Sequence, residues 1–180
     1  GRTGYMFAMD YYGVEADITT VAKSLGAGMP ISAVVGKKEI MDSVHPGGIG
    51  GTYSANPMCC EAALAVFDIF ESEDLLTKAK KLGEQLHSTL KGFQEKHALI
   101  GDVRGLGPMI AMEFVTDRDK KTPAPEKAQQ LVKFCLERNL IILACGTFGN
   151  VIRLLMPLVI TEEQLAKGME IIDNGLTAIS

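Results

Sequence analysis

Between Leu75 and Phe93 the apolar residues Leu75, Leu76, Ala79, Leu82, Leu86, Leu90 and Phe93 fall three and four positions apart, with lysines and glutamates filling the gaps. That spacing puts them on one side of a single long helix, predicted to run from Asp74 as its N-cap to His97. A helix with one apolar stripe must lay it against another layer, so this one reads as an amphipathic connector or cover helix. Downstream, Met109 to Val115, Leu140 to Ala144 and Val151 to Leu155 have strand character, and Ala128 to Arg138 is helical. Thr116 to Pro125 is a polar turn region. Thr161 caps a last helix whose first turn holds Glu162, Glu163 and Gln164, the pattern of a capping box at the positive end of the helix dipole.

The first seventy-five residues differ in texture. Ile18 to Ala22 and Ile31 to Gly36 are short β-branched and small apolar runs bounded by Asp17, Gly26, Gly28 and Pro30, which predicts two buried strands and places Lys23 where the first ends. His45 to Gly51 holds four glycines and a proline, too irregular for a regular element, so it is expected to be a loop that crosses an interface or lines a site. Asn56 and Pro57 open a helix to about Ser72 whose apolar face is Ala62, Ala63, Val66, Phe67 and Phe70. A shift near residue 75, from small and glycine-rich to helical and charged, places a domain boundary there. The chain is thus read as α/β, with residues 1–75 in one domain and 76–180 in a second, α+β domain.

A chain of 180 residues that is 47% hydrophobic has enough apolar surface for a substantial core. The net charge of -4 provides no basic field, which argues against nucleic acid or an anionic membrane as partner and for small molecules and other protein. The longest apolar stretches are far shorter than the roughly 20 residues a membrane helix needs. Four cysteines, two of them adjacent as Cys59 and Cys60, do not form a disulfide scaffold, and a reducing, cytoplasmic setting is expected. The chain opens on Gly1 without an initiator methionine or signal peptide, as expected of a chain that begins inside a larger protein.

Three side chains stand out chemically. Lys23 follows an apolar run and precedes Ser24, Leu25, Gly26, Ala27 and Gly28. Desolvating an amine favours its neutral, nucleophilic form, and the glycines would admit a bulky cofactor. The ordinary alternative is a strand-end lysine whose stem packs while its ammonium reaches water. Arg153 lies in the apolar strand from Val151 to Leu155, where a charge is costly unless paired. It needs an anion, either a buried Asp or Glu or a ligand carboxylate held in a bidentate fork. Thr52 precedes a helix and is open to reading as a cap. Cys59 and Cys60 lack a second Cys or His pair at metal spacing and read as small core residues, so no metal is expected. His45, His87 and His97 read as partnerless loop or helix-face residues. Gly101 to Gly107, with Arg104, reads as a tight turn leading into the strand at Met109.

Several motifs occur in order along the chain. Gly1-Arg2-Thr3-Gly4 is similar to the end of a glycine-phenylalanine-glycine-arginine-threonine-glycine segment. Asp17-Ile18-Thr19-Thr20-Val21-Ala22-Lys23-Ser24-Leu25-Gly26 resembles the lysine signature of the class III, or subgroup II, pyridoxal phosphate (PLP)-dependent aminotransferases. Gly50-Gly51-Thr52-Tyr53-Ser54-Ala55-Asn56-Pro57 resembles that family's glycine-threonine-tyrosine segment. Gly146 with Asn150-Val151-Ile152-Arg153-Leu154 resembles its carboxylate-binding arginine segment, in the form typical of 4-aminobutyrate aminotransferases.

The resemblance implies a fold-type I PLP-transferase fragment, the end of the large domain followed by the small carboxy-terminal domain. It implies that Lys23 holds the cofactor as an imine and then acts as acid and base. It further implies that Thr52 reaches across a homodimer interface, in a dimer or dimer of dimers, to the phosphate of the partner's cofactor. Arg153 then binds the α-carboxylate of glutamate or 2-oxoglutarate. The implied reaction moves the ω-amino group of 4-aminobutyrate to 2-oxoglutarate. Ornithine, acetylornithine and 5-aminovalerate are the alternative donors, and a non-catalytic assembly domain is the alternative role. The family's phosphate loop, stacking aromatic and pyridine-nitrogen aspartate lie upstream of Gly1, so these 180 residues alone are expected to be inactive.

Overall fold

Glycine and proline interrupt the residues before Pro57 so often that only short elements form there. The computed structural model describes residues 1–180 and separates into two units, Phe7–Leu75 and Gly1–Met6 with Leu76–Ser180. Gly1–Met6 therefore packs with the later residues, whereas the change of composition had grouped it with residues 1–75.

In the Phe7–Leu75 unit, α1 (Ala8–Tyr12) stops at Gly13, whose φ of 64° is left-handed. Strands β1 (Ile18–Val21) and β2 (Ala33–Gly36) pair antiparallel, Ile18 opposite Gly36 and Val21 opposite Ala33. A 3-10 turn, Lys23–Gly26, follows β1, and the short α2 (Lys38–Met41) follows β2. The strands are not buried as expected: Ile18, Val34 and Val35 are more than half exposed. β-Branched residues specify extended backbone, but burial requires covering layers, and a two-stranded pair has no third strand. The unit ends in α3 (Pro57–Ser72), with Pro57 at its first turn and Asn56 Oδ1 accepting from Met58 N at 3.0 Å. Cys59 and Ala63 are buried, whereas Phe67 of the expected apolar face is exposed.

The second unit is built on α4 (Leu75–Lys96), which buries Leu75, Ala79, Leu82, Leu86 and Leu90 as their spacing predicts. Asp74 has a φ of 49°, left-handed where a capping residue is normally extended. Next come β3 (Ile100–Leu106), β4 (Met109–Asp117), the two-residue β5 (Thr122–Pro123), α5 (Pro125–Leu136), β6 (Leu143–Cys145), β7 (Val151–Leu154) and α6 (Glu162–Ile179). The main sheet runs β3-β4-β7-β6 with every pairing antiparallel, and β5 pairs with β4. Val103, Ile110, Met112, Phe114, Ile152 and Leu154 point from one face into a core shared with α4, α5 and α6. Helices gathered on one face of an antiparallel sheet are the expected α+β layering.

Three expectations are corrected here. Residues 101–106 belong to strand β3 rather than to a turn. Gly105 lies opposite Ile110, where a Cβ would sit 2.3 Å from the Met109 carbonyl oxygen, so this glycine marks close strand approach. The predicted strand Leu140 to Ala144 forms later, at Leu143–Cys145. His97 is neither exposed nor partnerless: it is 5% exposed and its Nε2 lies 2.7 Å from Asp173 Oδ1 on α6. Lys96 Nζ donates to the other oxygen of Asp173 at 2.6 Å. The capping box at Thr161 and Gln164 forms as expected, with contacts of 3.1 and 3.2 Å.

Asp173 sits below the ordinary carboxylate value; burial pushes it up, and hydrogen bonds and charge from Lys96 and His97 push it down by more. A depressed folded value means stability present above the unfolded value, near 3.9, and lost as pH falls through the folded one. Asp173→Asn is expected to cost about 1 kcal/mol at pH 7, with the gap closing in acid below that unfolded value. Urea unfolding midpoints measured from pH 7 to pH 3 check this, and a gap independent of pH would refute it.

Candidate active site

Lys23 is placed by the end of β1. Ala22 is still extended, and Lys23 then turns to a φ of 54°, opening the 3-10 turn that packs on α3. A left-handed lysine is uncommon, and such residues gather at functional sites. The turn closes through Leu25 N to Ala22 O at 3.1 Å and Ala27 N to Ser24 O at 3.3 Å. Gly26 is required in it, because a Cβ there would lie 2.6 Å from Cγ2 of Ile31. The Lys23 side chain is exposed and makes no hydrogen bond or ion pair. The desolvation expected of it is therefore not provided by residues of this chain. An uncommitted primary amine on an open turn does, however, fit a group that carries an aldehyde.

Thr52 is exposed in the loop that feeds α3, inside a turn where Ser54 N donates to Gly51 O at 3.0 Å. Asn56 caps α3, which removes the ordinary reading of Thr52 as the cap. Its hydroxyl makes no hydrogen bond within the chain.

Arg153 lies in the other unit, on β7. The prediction that it needs a partner inside an apolar strand is corrected by the sheet's pleat: Ile152 and Leu154 point into the core, while Arg153 points to the opposite, exposed face. It forms no hydrogen bond or ion pair. A cavity of about 400 Å³ beside it is lined mainly by apolar side chains, among them Leu143, Leu155, Met156 and Met169, and Arg153 is its one charged residue. An exposed guanidinium without an anion among these residues suits a small molecule bearing a carboxylate.

A polar group on the same sheet face was not assigned from the sequence. Arg104 Nη1 donates to Glu113 Oε2 at 2.6 Å and to Asp102 Oδ2 at 2.8 Å. Asn150 is 1% exposed, and its Nδ2 donates to Phe114 O at 2.8 Å and to Glu113 Oε1 at 3.5 Å. The alternation of Asp102 and Arg104, with Glu113 in the predicted strand Met109 to Val115, was the available signal; the reading of 101–107 as a turn obscured it.

The profile of the family Aminotransferase class-III matches residues 1–176. A 5-aminovalerate aminotransferase of Pseudomonas aeruginosa is 51% identical over 172 residues, covering 96% of this chain and 40% of that protein. A 4-aminobutyrate aminotransferase of Escherichia coli is 49% identical over 174 residues, covering 97% of this chain and 41% of that protein. Among solved structures, an amine transaminase from an uncultivated Pseudomonas species in its PLP-bound form superposes with a TM-score of 0.85 at 33% identity, covering 99% of this chain and 41% of that one. The chain thus spans about two fifths of the length of these relatives, and its α/β architecture is that of the PLP-dependent transaminases. No helix is long and apolar enough to cross a membrane. With the family profile extending over nearly every residue, the chain belongs to the class III aminotransferases.

Proposed function

We propose that this chain supplies the cofactor lysine and the carboxylate-binding arginine of a PLP-dependent aminotransferase that moves the terminal amino group of 4-aminobutyrate to 2-oxoglutarate, giving succinate semialdehyde and glutamate. Arg153 carries this reading: it is a guanidinium without an internal counter-ion beside an apolar cavity, suited to gripping the α-carboxylate of glutamate or 2-oxoglutarate in a bidentate fork.

The remaining roles follow from the family motifs and from the uncommitted side chains. Lys23 holds the cofactor through its ε-amine and, once displaced by the substrate amine, takes a proton from the substrate carbon and returns it. When bound, the cofactor supplies an electron sink for that carbon. The Thr52 hydroxyl donates to the cofactor phosphate across the interface of a homodimer. Residues 1–75 are assigned to the end of the large domain and 76–180 to the small one, with Gly1–Met6 seated on the latter.

A second donor, 5-aminovalerate, is favoured by the Pseudomonas aeruginosa relative. The two donors differ by one methylene, worth about 0.8 kcal/mol when buried, so a preference of only several-fold separates them. In the full-length enzyme, kcat/KM with 2-oxoglutarate is expected to be highest for 4-aminobutyrate among 4-aminobutyrate, 5-aminovalerate, ornithine and acetylornithine. A higher value for another donor transfers the assignment to it. Arg153→Ala is expected to raise KM for 2-oxoglutarate by about 10- to 100-fold, the worth of a charge-assisted fork, with the cofactor's visible absorbance intact. Unchanged kinetics would leave Arg153 a structural residue.

A further inference from the structure

Two glycine-bearing motifs, Gly1-Arg2-Thr3-Gly4 and Arg104-Gly105-Leu106-Gly107, have no role yet in the roles assigned to Lys23, Thr52 and Arg153, and the fold stacks one on the other. Gly83 on α4 lies so near Gly107, in the turn between β3 and β4, that a Cβ on it would sit 2.5 Å from the Gly107 carbonyl carbon. A Cβ on Gly107 would in turn sit 2.6 Å from the carbonyl carbon of Thr3. Backbone thus rests on backbone through three layers, an approach that residues without a side chain permit. Beside this stack, Lys80 Nζ of α4 stands 4.5 Å from the centre of the Tyr5 ring, within cation–π range. The segment Gly1–Met6 is therefore seated at Thr3 and again at Tyr5, with Arg2 next to the first of these points.

From that seat the partly buried Arg2 donates through Nη1 to the carbonyl of Met156. This carbonyl lies where the sheet runs out. β7 pairs with β6 as far as Arg153 and with β4 as far as Leu154, and Leu155, Met156 and Pro157 continue past both ladders. Pro157 has no backbone N–H with which a ladder could go on. Arg153 is therefore the second-last residue of its strand, and the stretch that follows it lines the same cavity as its own side chain. The Arg2 guanidinium gives that stretch a bond the sheet does not, and a charge-assisted one.

We propose that Arg2 is a positioning residue for Arg153: by holding the Met156 carbonyl it fixes the end of β7, and with it the place from which the Arg153 guanidinium grips the 2-oxo acid. Released from Arg2, the last residues of β7 would lose their anchor to the seated segment, and the fork of Arg153 would meet the carboxylate from a range of positions. The effect falls on binding of the 2-oxo acid and leaves the chemistry of Lys23 as it is. The proposal rests on Arg153 binding the substrate carboxylate, and its test separates the two claims.

In the full-length holoenzyme, Arg2→Met, which keeps an apolar stem and removes the donors, is expected to raise KM for 2-oxoglutarate about fivefold, because a two-point grip is sensitive to small displacements. KM for 4-aminobutyrate and kcat at saturation stay within about twofold, a split that a general loss of structure would not give. The cofactor's visible absorbance is expected to be intact. Placed on Arg153→Ala, the same substitution gives no further rise, because its effect passes through the guanidinium already removed. Arg2→Lys, which keeps one charged donor, gives a smaller rise with the same dependence on Arg153 and serves if the methionine variant does not fold. An unchanged KM in Arg2→Met, or an equal rise with and without Arg153, overturns the proposal. If Arg153→Ala raises KM and Arg2→Met does not, only the role of Arg2 fails; if Arg153→Ala has no effect, the reading of Arg153 fails and the proposal with it.

Discussion

Lys23→Ala in the full-length enzyme is expected to lower kcat/KM by about 10⁴-fold, the upper range for removing a positioned acid-base group. The loss is at that end because the same amine also forms the covalent bond. The variant should fail to carry the cofactor's visible absorbance through gel filtration. Its unfolding midpoint should match that of the cofactor-free parent, because the side chain is exposed and makes no hydrogen bond or ion pair within these residues. Lys23→Arg is the sharper control: it keeps the charge, cannot form the bond, and is expected to be equally inactive. Surface lysines removed elsewhere usually change stability by less than about 0.5 kcal/mol and activity hardly at all. Activity within tenfold of the parent would make Lys23 an ordinary strand-end lysine.

Phe114→Ala is expected to cost about 3 to 5 kcal/mol in urea unfolding, the usual range for emptying a buried phenylalanine site. Phe114 is fully buried in β4, in the core formed by α4, α5, α6 and the sheet. Its carbonyl also accepts from Asn150, but the substitution leaves that bond's atoms in place. The cost is therefore the cavity and the lost apolar burial. A loss below about 1 kcal/mol would show that the surrounding helices collapse into the space.

What was legible in the sequence depended on whether its signal was local. The α4 stripe from Leu75 to Leu90 is a period of three and four, and the helix buries those positions. The cap at Thr161 needs only Gln164, three residues away. The order of the lysine, threonine and arginine motifs is likewise local text, and it led to the family that the chain belongs to. His97 was misjudged because its partner, Asp173, is 76 positions along the chain. β3 was taken for a turn because its glycines serve strand approach rather than chain reversal, which depends on what lies opposite them.

The family, the α4 and α6 helices, and the lysine, threonine and arginine to examine were readable along the chain alone. Periodicity, caps and motifs are each written in a short run of neighbouring residues. The packing of the layers was needed to show that Arg153 points away from the core, that β1 and β2 lie exposed, and that Glu113 is held by Arg104 and Asn150 rather than by Arg153. Those outcomes depend on strand register and on which layer covers which face, and both are set by residues far apart in the chain.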